Sequence, residues 1–451
     1  METIDEYRIK LKKIADYAFG HEVKSVGAEQ FKIGTPDLWD KEILGDFLIA
    51  CHDGFKIAQN LLIEETKKYQ ALLKASKDEL KEYRRQRNKE KEKDIQAKIK
   101  IFKQRLSTLS HIADGIAWQL IDGQIHIARR FHIEQDAPKY LVSSNINHAI
   151  KVANCINKNP DNFALISDLT SFVQIGDLLV RDSKGIRVIE LKEGKVNYEI
   201  ENVLKAIDEE ETAISESELK EQFNNRTIKQ IKRVQRQKER AIRATNVINE
   251  DKGIDPVSGE QIIINTPSID SDYYDEELFD LYKNLEKKIW SYTVIDSCLH
   301  IGMYRDEGIL MAGFAIKEII EETTENFIIV DWLSITKNLS EPIFAKPLPP
   351  DFIIDILTGK VKVILGLDMD SLIEIWNTIG LETRWMTKGE TTRIRQNAIR
   401  KGIIEINKRG IVLKISDGEM IMYGGTISKI LYDNIKPINI ALSILSTIED
   451  I

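Results

Sequence analysis

Val173-Gln-Ile-Gly-Asp-Leu-Leu-Val-Arg-Asp182, Ser183-Lys-Gly185 and Ile186-Arg-Val-Ile-Glu-Leu-Lys-Glu-Gly194 read as two apolar strands joined by a tight turn. The turn signal is Asp182-Ser-Lys-Gly185, whose glycine and small polar residues fold a chain back on itself. Residues two apart on a strand share a face, so Glu190 and Lys192 point the same way. Asp177 lies far enough from the turn to meet Glu190 across the hairpin, to within one pleat. Two carboxylates and a lysine then converge at one sheet face.

That constellation has a chemical use. Paired carboxylates hold a hard divalent cation through oxygen ligands. Such a cation polarises a phosphoryl oxygen and lowers the pKa of a bound water. A lysine beside it orients or helps to deprotonate that water. The competing reading is a half-buried hairpin whose charges face solvent, because Asp…Glu-x-Lys is short and recurs by chance. The apolar flanks, the Gly-Asp pair and the turn at a suitable distance favour the metal site.

The segment Gly176-Asp177…Glu190-Leu191-Lys192 resembles the core of the PD-(D/E)XK nuclease superfamily. The resemblance implies a small mixed sheet flanked by helices and metal-dependent cleavage of phosphodiesters. It implies that Asp177 and Glu190 ligate Mg²⁺ (or Mn²⁺), that the Leu191 carbonyl adds a ligand, and that Lys192 is the catalytic lysine. Gly176 stands where the family's nominal proline would be. The family often draws a further acid from a helix before the aspartate strand, and Asp114 is the candidate here. A surface role for Asp114 is as good a reading. Asp168, just after the strand Phe163–Ile166, is the other candidate acid. The motif spans about 20 of the 451 residues and the compatible context about 160.

Composition sets limits. The chain carries 64 Lys and Arg against 72 Asp and Glu, a net charge of −8, so a nucleic-acid contact must come from a local patch. Length alone suggests two or three domains. Cys51, Cys155 and Cys298 stand far apart, without Cys-x-x-Cys or His-Cys spacing, which argues against structural zinc or a disulfide framework and suits a reducing cytosol. The opening Met-Glu-Thr-Ile-Asp-Glu is acidic and has no apolar leader. No run approaches the roughly 18 apolar residues of a membrane span. The expectation is a cytoplasmic protein without a membrane partner.

Residues 56 to 114 lack Gly and Pro and carry two seams of alternating four- and three-residue spacing. The first runs Leu62, Thr66, Tyr69, Leu73, Ser76, Leu80; the second runs Ile95, Ile99, Phe102, Leu106, Leu109, Ala113. The seams are out of phase across the polar stretch Arg84 to Asp94. An antiparallel helical hairpin with its tip near 86–93 is favoured over one long helix with a phase break. Such an arm serves as a homo-oligomer contact or a DNA-embracing protrusion, and the oligomer contact is preferred. Gln124 to Ile133 is expected as a strand, and Asn147 to Asn157 as an inserted helix.

Beyond the hairpin, Glu199 to Glu221 holds nine acids and two lysines. It reads as a solvated segment or a DNA-mimicking cover. The charge then reverses. Arg226, Lys229, Arg233, Arg236, Arg240 and Arg243 recur every three or four residues and form one stripe on a helix. Like charges at that spacing repel unless an anion lies alongside, and a phosphate backbone is the natural one. Gln230 and Gln237 are seven residues apart and share a face. A glutamine-bearing helix after the Glu-x-Lys strand is also a feature of several branches of the family. Gln261 to Asn265 is expected as the last strand of this core.

In the remainder, Tyr292–Ile301, Ile309–Ile316, Phe327–Leu333, Val361–Leu367, Ile411–Ile415 and Met420–Met422 read as strands. Ser371–Ile379, Thr392–Lys401 and Ile438–Ile448 read as helices. Asp368 and Asp370 read as a helix cap rather than a cation site. No phosphate-binding glycine loop and no nucleophile elbow is present.

The chain is therefore expected to be of mixed α/β class. A helical arm (1–107) precedes a nuclease-like core (108–266) and a C-terminal α/β domain of recognition, regulation or assembly (267–451). The function expected is a Mg²⁺-dependent endonuclease with DNA favoured over RNA, acting in prokaryotic defence against phage or plasmid, with a partner or trigger protein possible. The alternative is a non-catalytic nucleic-acid-binding scaffold or sensor with a nuclease-like core.

Overall fold

A computed structural model of the chain describes residues 2–21, 41–132, 146–183, 185–191, 225–250, 252–256, 259–263, 271–334, 339–397, 402–415 and 418–449. The fold is of mixed α/β class and divides into two compact units, Met1–Ile264 and Asn265–Ile451. Every strand pairing among the described residues is antiparallel. No helix among them is long and apolar enough to cross a membrane.

The first unit is built on helices α1 (Ile4–Phe19), α2 (Lys41–Arg85) and α3 (Lys89–Leu120). A capping box starts α1: the Glu6 N–H donates to the Thr3 hydroxyl, and the Thr3 N–H donates to the Glu6 carboxylate. The α2 and α3 helices form the expected antiparallel hairpin. Its tip is tighter than expected, with Arg87 in the left-handed region (φ 53°) and the Asn88 side chain accepting from the Lys91 N–H. Both seams turn inward: Leu62, Thr66, Tyr69, Ile95, Phe102, Leu106, Leu109 and Ala113 are buried. Each large apolar side chain so buried contributes about 1.5–3 kcal/mol. The α3 helix runs past residue 107 without a break, so the arm and the central strands share one unit.

At the base of the hairpin α1 lies across one face. Arg105 stacks between the rings of Tyr7 and Tyr69, 4.6 and 5.3 Å from their centroids, and donates to the Glu2 carboxylate at 3.2 Å. Lys10 bridges Glu2 and Glu65.

Next come α4 (Ile125–Phe131) and α5 (Ile146–Ile156). The strand expected over Gln124–Ile133 is thus a helix. Its Ile-His-Ile alternation mimics a two-residue period, but Ile127, Ala128 and Phe131 are the side chains that pack inward, at helical spacing. A three-stranded sheet follows in the order β1 (Phe163–Ile166), β2 (Leu178–Asp182) and β3 (Gly185–Ile189). The long helix α6 (Asn225–Glu250) and the two-stranded hairpin β4 (Lys252–Ile254) and β5 (Gln261–Ile263) complete the described part of the unit.

The strand expected as the last of the core, Gln261–Asn265, therefore pairs with Lys252–Ile254 and does not join the central sheet. The mixed sheet implied by the resemblance is antiparallel among the described residues. The edges explain why. On the outer side of β1, the buried Gln59 of α2 donates to the Ala164 carbonyl (3.0 Å) and accepts from the Ile166 N–H (2.9 Å). Asn157 accepts from the Ala164 N–H at 2.7 Å. On the outer side of β3, Asn249 of α6 donates to the Ile186 carbonyl (3.1 Å) and accepts its N–H (3.4 Å). Side-chain amides thus occupy outward backbone groups of Ala164, Ile166 and Ile186, some of those a further strand would use.

The second unit begins with α7 (Asp275–Asn284) and contains a four-stranded sheet. Its strands are β6 (Trp290–Ile295), β7 (Leu299–Arg305), β8 (Phe327–Asp331) and β9 (Val361–Asp368), in the order β6-β7-β9-β8. The single strand expected over Tyr292–Ile301 is a hairpin, turned at Asp296 and Ser297 in the left-handed region (φ 45° and 55°). Ile309–Ile316 is not a strand either. It is the end of a 3-10 turn and the start of α8 (Ala312–Glu321), whose Ile316 and Ile320 pack into the core. Helices α9 (Pro350–Leu357) and α10 (Met369–Thr378) flank β9. Beyond them lie β10 (Thr383–Trp385), α11 (Lys388–Asn397), β11 (Ile411–Ile415), β12 (Gly418–Ile421), α12 (Gly424–Leu431) and α13 (Pro437–Glu449).

Candidate metal and nucleic-acid site

The hairpin forms in the register Leu178↔Ile189 through Asp182↔Gly185. Its mouth is irregular. Leu178 is the partner of Ile189, yet the Asp177 N–H also donates to the Ile189 carbonyl, at 2.8 Å. Two residues address one, as in a β-bulge, a device that re-aims a side chain. The Asp177 carboxylate turns across the hairpin and accepts from the Leu191 N–H at 2.6 Å. It therefore lies against the Glu190–Leu191 peptide, and the cross-strand meeting expected of Asp177 is with this peptide.

Gly176 makes the turn possible. Its φ is +74°, a region that side chains disfavour. A Cβ there would overlap the Val188 side chain and stand 3.1 Å from the Ile189 carbonyl oxygen. Proline, fixed near −65°, could not occupy this position. The departure from the family's nominal proline is thus a requirement of this backbone.

Asp177, Glu190 and Leu191 are half-buried. Lys192, the fourth member of the motif, lies outside the described residues, as does the acidic run Glu199 to Glu221. The two candidate acids upstream differ. Asp114 is buried on α3, and its two oxygens accept from the Ser171 N–H and hydroxyl, both at 2.7 Å. Burial pushes its carboxyl up to about 7, while the Ser171 and Phe172 donors pull it down. Asp114 anchors the loop after β1 and has both oxygens engaged there. Asp168 sits in the 3-10 turn Ser167–Leu169. The adjacent Ser167 N–H donates to the Asp177 carbonyl at 3.0 Å. The Asp168 Oδ2 is buried and has no hydrogen-bond partner among the described residues. Of the two, Asp168 has the backbone proximity to Asp177 and the unsatisfied acceptor.

Among the described residues no group of three or more His, Cys, Asp and Glu side chains gathers closely enough to hold a metal ion. The oxygen donors suited to a hard cation are the carboxylates of Asp177 and Glu190, the Leu191 carbonyl, and the orphaned Asp168 oxygen.

The basic stripe lies on α6, as the spacing requires. Arg226, Lys229 and Gln230 occupy its first turns, with side chains outside the described residues. Arg233, Arg236 and Arg240 are exposed, while Gln237 and Arg243 are half-buried. Arg243 stands 3.9 Å from Glu239. Asn249 ties the helix to the β2–β3 hairpin, Val247 packs against Gly253 of β4, and Ala241, Ala244 and Ile248 are buried as well. Asn249 and Gln59, which hold the sheet between α6 and α2, had no sequence signal, because their partners lie 63 and 105 residues away. The Arg130–Asp255 ion pair likewise ties α4 to the β4–β5 turn.

In the second unit Asp368 caps α10, accepting from the Asp370 and Ser371 N–H groups at 2.9 and 3.0 Å. The Asp370 carboxylate accepts from Thr324, Asn326 and the Trp385 indole, so the pair serves structure, as expected. Arg384 is paired with Glu390 and Glu419, and Arg395 with Glu405.

No family model, curated protein or solved structure matches this chain.

Proposed function

We propose that the chain is a divalent-metal-dependent nuclease of PD-(D/E)XK type, with DNA favoured over RNA, and that its site is the mouth of the β2–β3 hairpin. The observation that carries the reading is the bulge at Gly176-Asp177, which aims a carboxylate at the Glu190–Leu191 peptide. In this reading Asp177, Glu190 and the Leu191 carbonyl hold Mg²⁺ or Mn²⁺; the Asp168 carboxylate does not gather with the other two into a three-acid set, and would join only by turning toward them. The cation, when bound, supplies Lewis-acid polarisation of a phosphoryl oxygen and a water of lowered pKa. Lys192 orients that water toward phosphorus and offsets charge as the ester bond breaks. Arg233, Arg236 and Arg240 hold flanking phosphates. A nuclease with large accessory regions fits a defence effector against phage or plasmid, with oligomerisation or a partner protein as its control. The test of the metal site is calorimetric titration of the metal-free full chain with Mn²⁺. Asp177→Asn and Glu190→Gln should each weaken binding at least about tenfold, as loss of a charged ligand in a two-carboxylate site would. Binding that neither substitution changes sinks the assignment. A well-bound metal without cleavage would favour the scaffold or sensor reading instead.

A further inference from the structure

The α2–α3 hairpin has two broad faces of opposite character. Residues one position before the seams contact α1: Glu65 and Lys68 on α2, and Arg105 on α3, all meet Glu2 or Lys10. Positions one before the seam on both helices therefore share one face, and positions one after it share the other. On α2 the second face reads Lys67, Gln70, Lys74, Lys77, Lys81 and Arg84, at spacings of three and four. On α3 it reads Lys89, Lys93, Gln96, Lys100 and Lys103, at spacings of four and three. Nine cations and two glutamines occupy these rows, with no acid among them. All nine cations are exposed. Arg84 pairs with Glu92 and Lys81 with Asp78; the other seven make no ion pair among the described residues. The α1 face beyond the base has mixed signs, with Glu79, Glu82 and Asp94 beside Lys91 and Lys98.

Residues 67–103 hold 14 Lys and Arg and 6 Asp and Glu, a net +8 in a chain whose total is −8. A merely solvated helix face ordinarily mixes its charges. Like charges three and four residues apart cost about 0.2–0.5 kcal/mol per pair unless an anion intervenes. We infer that this face is a second nucleic-acid contact, laid along the phosphate backbone of a duplex. Successive positions in a row rise about 5 Å, about 10 Å where a glutamine stands between two cations, and the row on α2 extends about 25 Å, or some seven base pairs. The two rows stand about 8–10 Å apart, the separation of packed helices. No apolar side chain interrupts either row, which disfavours an anionic membrane, whose helices insert an apolar face. The inference shares its ligand with the proposed function but not its chemistry.

The test compares two sets of substitutions on one helix pair. The on-face set is Lys74→Gln, Lys77→Gln, Lys93→Gln and Lys100→Gln in one chain; the off-face set is Lys91→Gln and Lys98→Gln. Binding of the full chain to a labelled duplex of about 30 base pairs is read by fluorescence anisotropy in chelator, between about 50 and 200 mM salt. The on-face variant should bind at least tenfold more weakly at the middle of that range, with the slope of log K against log salt smaller by about 3.6, or 0.9 per lost contact. The off-face variant should stay within about twofold of wild type, since its two lysines touch no phosphate. Circular dichroism confirms folding. Unchanged duplex binding by the on-face variant overturns the inference. So does an equal loss per charge in both sets, or a loss confined to phosphatidylserine vesicles run in parallel. Because no metal is present, face-dependent binding in a chain that never cleaves would leave this inference standing and remove the nuclease reading.

Discussion

Gly176→Ala isolates the feature on which the site geometry depends. Three effects set its magnitude. A non-glycine residue in the left-handed region costs about 1–2 kcal/mol. Crowding against Val188 and the Ile189 carbonyl oxygen, 3.1 Å from the new methyl, adds about 1–3 kcal/mol. Stiffening of the unfolded chain returns about 0.4–1 kcal/mol. The net expectation is a loss of about 1–5 kcal/mol. Gly45→Ala is the internal control. It lies in α2 with nothing within 4 Å of the new methyl, so it should stabilise by about 0.5–1 kcal/mol. With two compact units a single global melt mixes signals, so the assay is hydrogen exchange by mass spectrometry. Peptides covering 173–191 should lose protection in Gly176→Ala, while those of the second unit keep it. Wild-type protection at 173–191 in that variant would refute the bulge and the placement of Asp177 built on it.

Other expectations follow from the same contacts. Asp114 has its folded pKa raised to about 7, above the ordinary value near 3.9, so the folded chain holds a proton that the unfolded chain releases. Stability should therefore fall as pH rises from about 4 to 7, by at most about 4 kcal/mol. Asp114→Asn should flatten that segment of the pH–stability curve, and an unchanged slope counts against the buried carboxyl. Gln59→Ala strips the donor and the acceptor that serve β1, and should cost about 2–4 kcal/mol in a urea titration. A cost below about 0.5 kcal/mol would mean that the edge is satisfied otherwise. Arg233→Gln, Arg236→Gln and Arg240→Gln together should lower the salt slope of duplex binding by about 2.7. No change would take α6 out of the interface.

Local pattern carried a good deal of this architecture. The β2–β3 hairpin was legible because apolar alternation and the Asp-Ser-Lys-Gly turn agree, but its strands are shorter than the 173–182 and 186–194 expected. They are Leu178–Asp182 and Gly185–Ile189, with Glu190 just beyond the second and 192–194 outside the described residues. The α2–α3 hairpin was legible because two long seams fall out of phase at a polar stretch, and only the tightness of the turn at Arg87 and Asn88 needed coordinates. Short segments were the ones misread. Seven residues from Ile125 to Phe131 are too few for a period to declare itself, and alternating Ile and His outweighed the helical placement of Phe131. Ile309–Ile316 looked like a buried strand because it is almost wholly apolar, yet Leu310, Met311 and Phe314 are exposed at 79, 60 and 68%. Tyr292–Ile301 reads as one strand because Asp296-Ser297 carries no glycine or proline to mark the left-handed turn it makes. The site was legible only as a list of residue types. The bulge depends on Gly176 meeting Val188, the choice between Asp114 and Asp168 depends on Ser171, and the side-chain contacts at the sheet edges depend on Gln59 and Asn249. Each is a contact between distant residues, with no local pattern to announce it.

The most direct measurement is cleavage of supercoiled plasmid, linear duplex, single-stranded DNA and RNA by the full chain with Mg²⁺ or Mn²⁺, beside Glu190→Ala and Lys192→Ala. Wild type should cut in a metal-dependent way, most strongly on DNA, and both variants should lose cutting while duplex binding in chelator persists. Cutting retained by both variants would contradict it, because the reaction would then belong to another part of the chain.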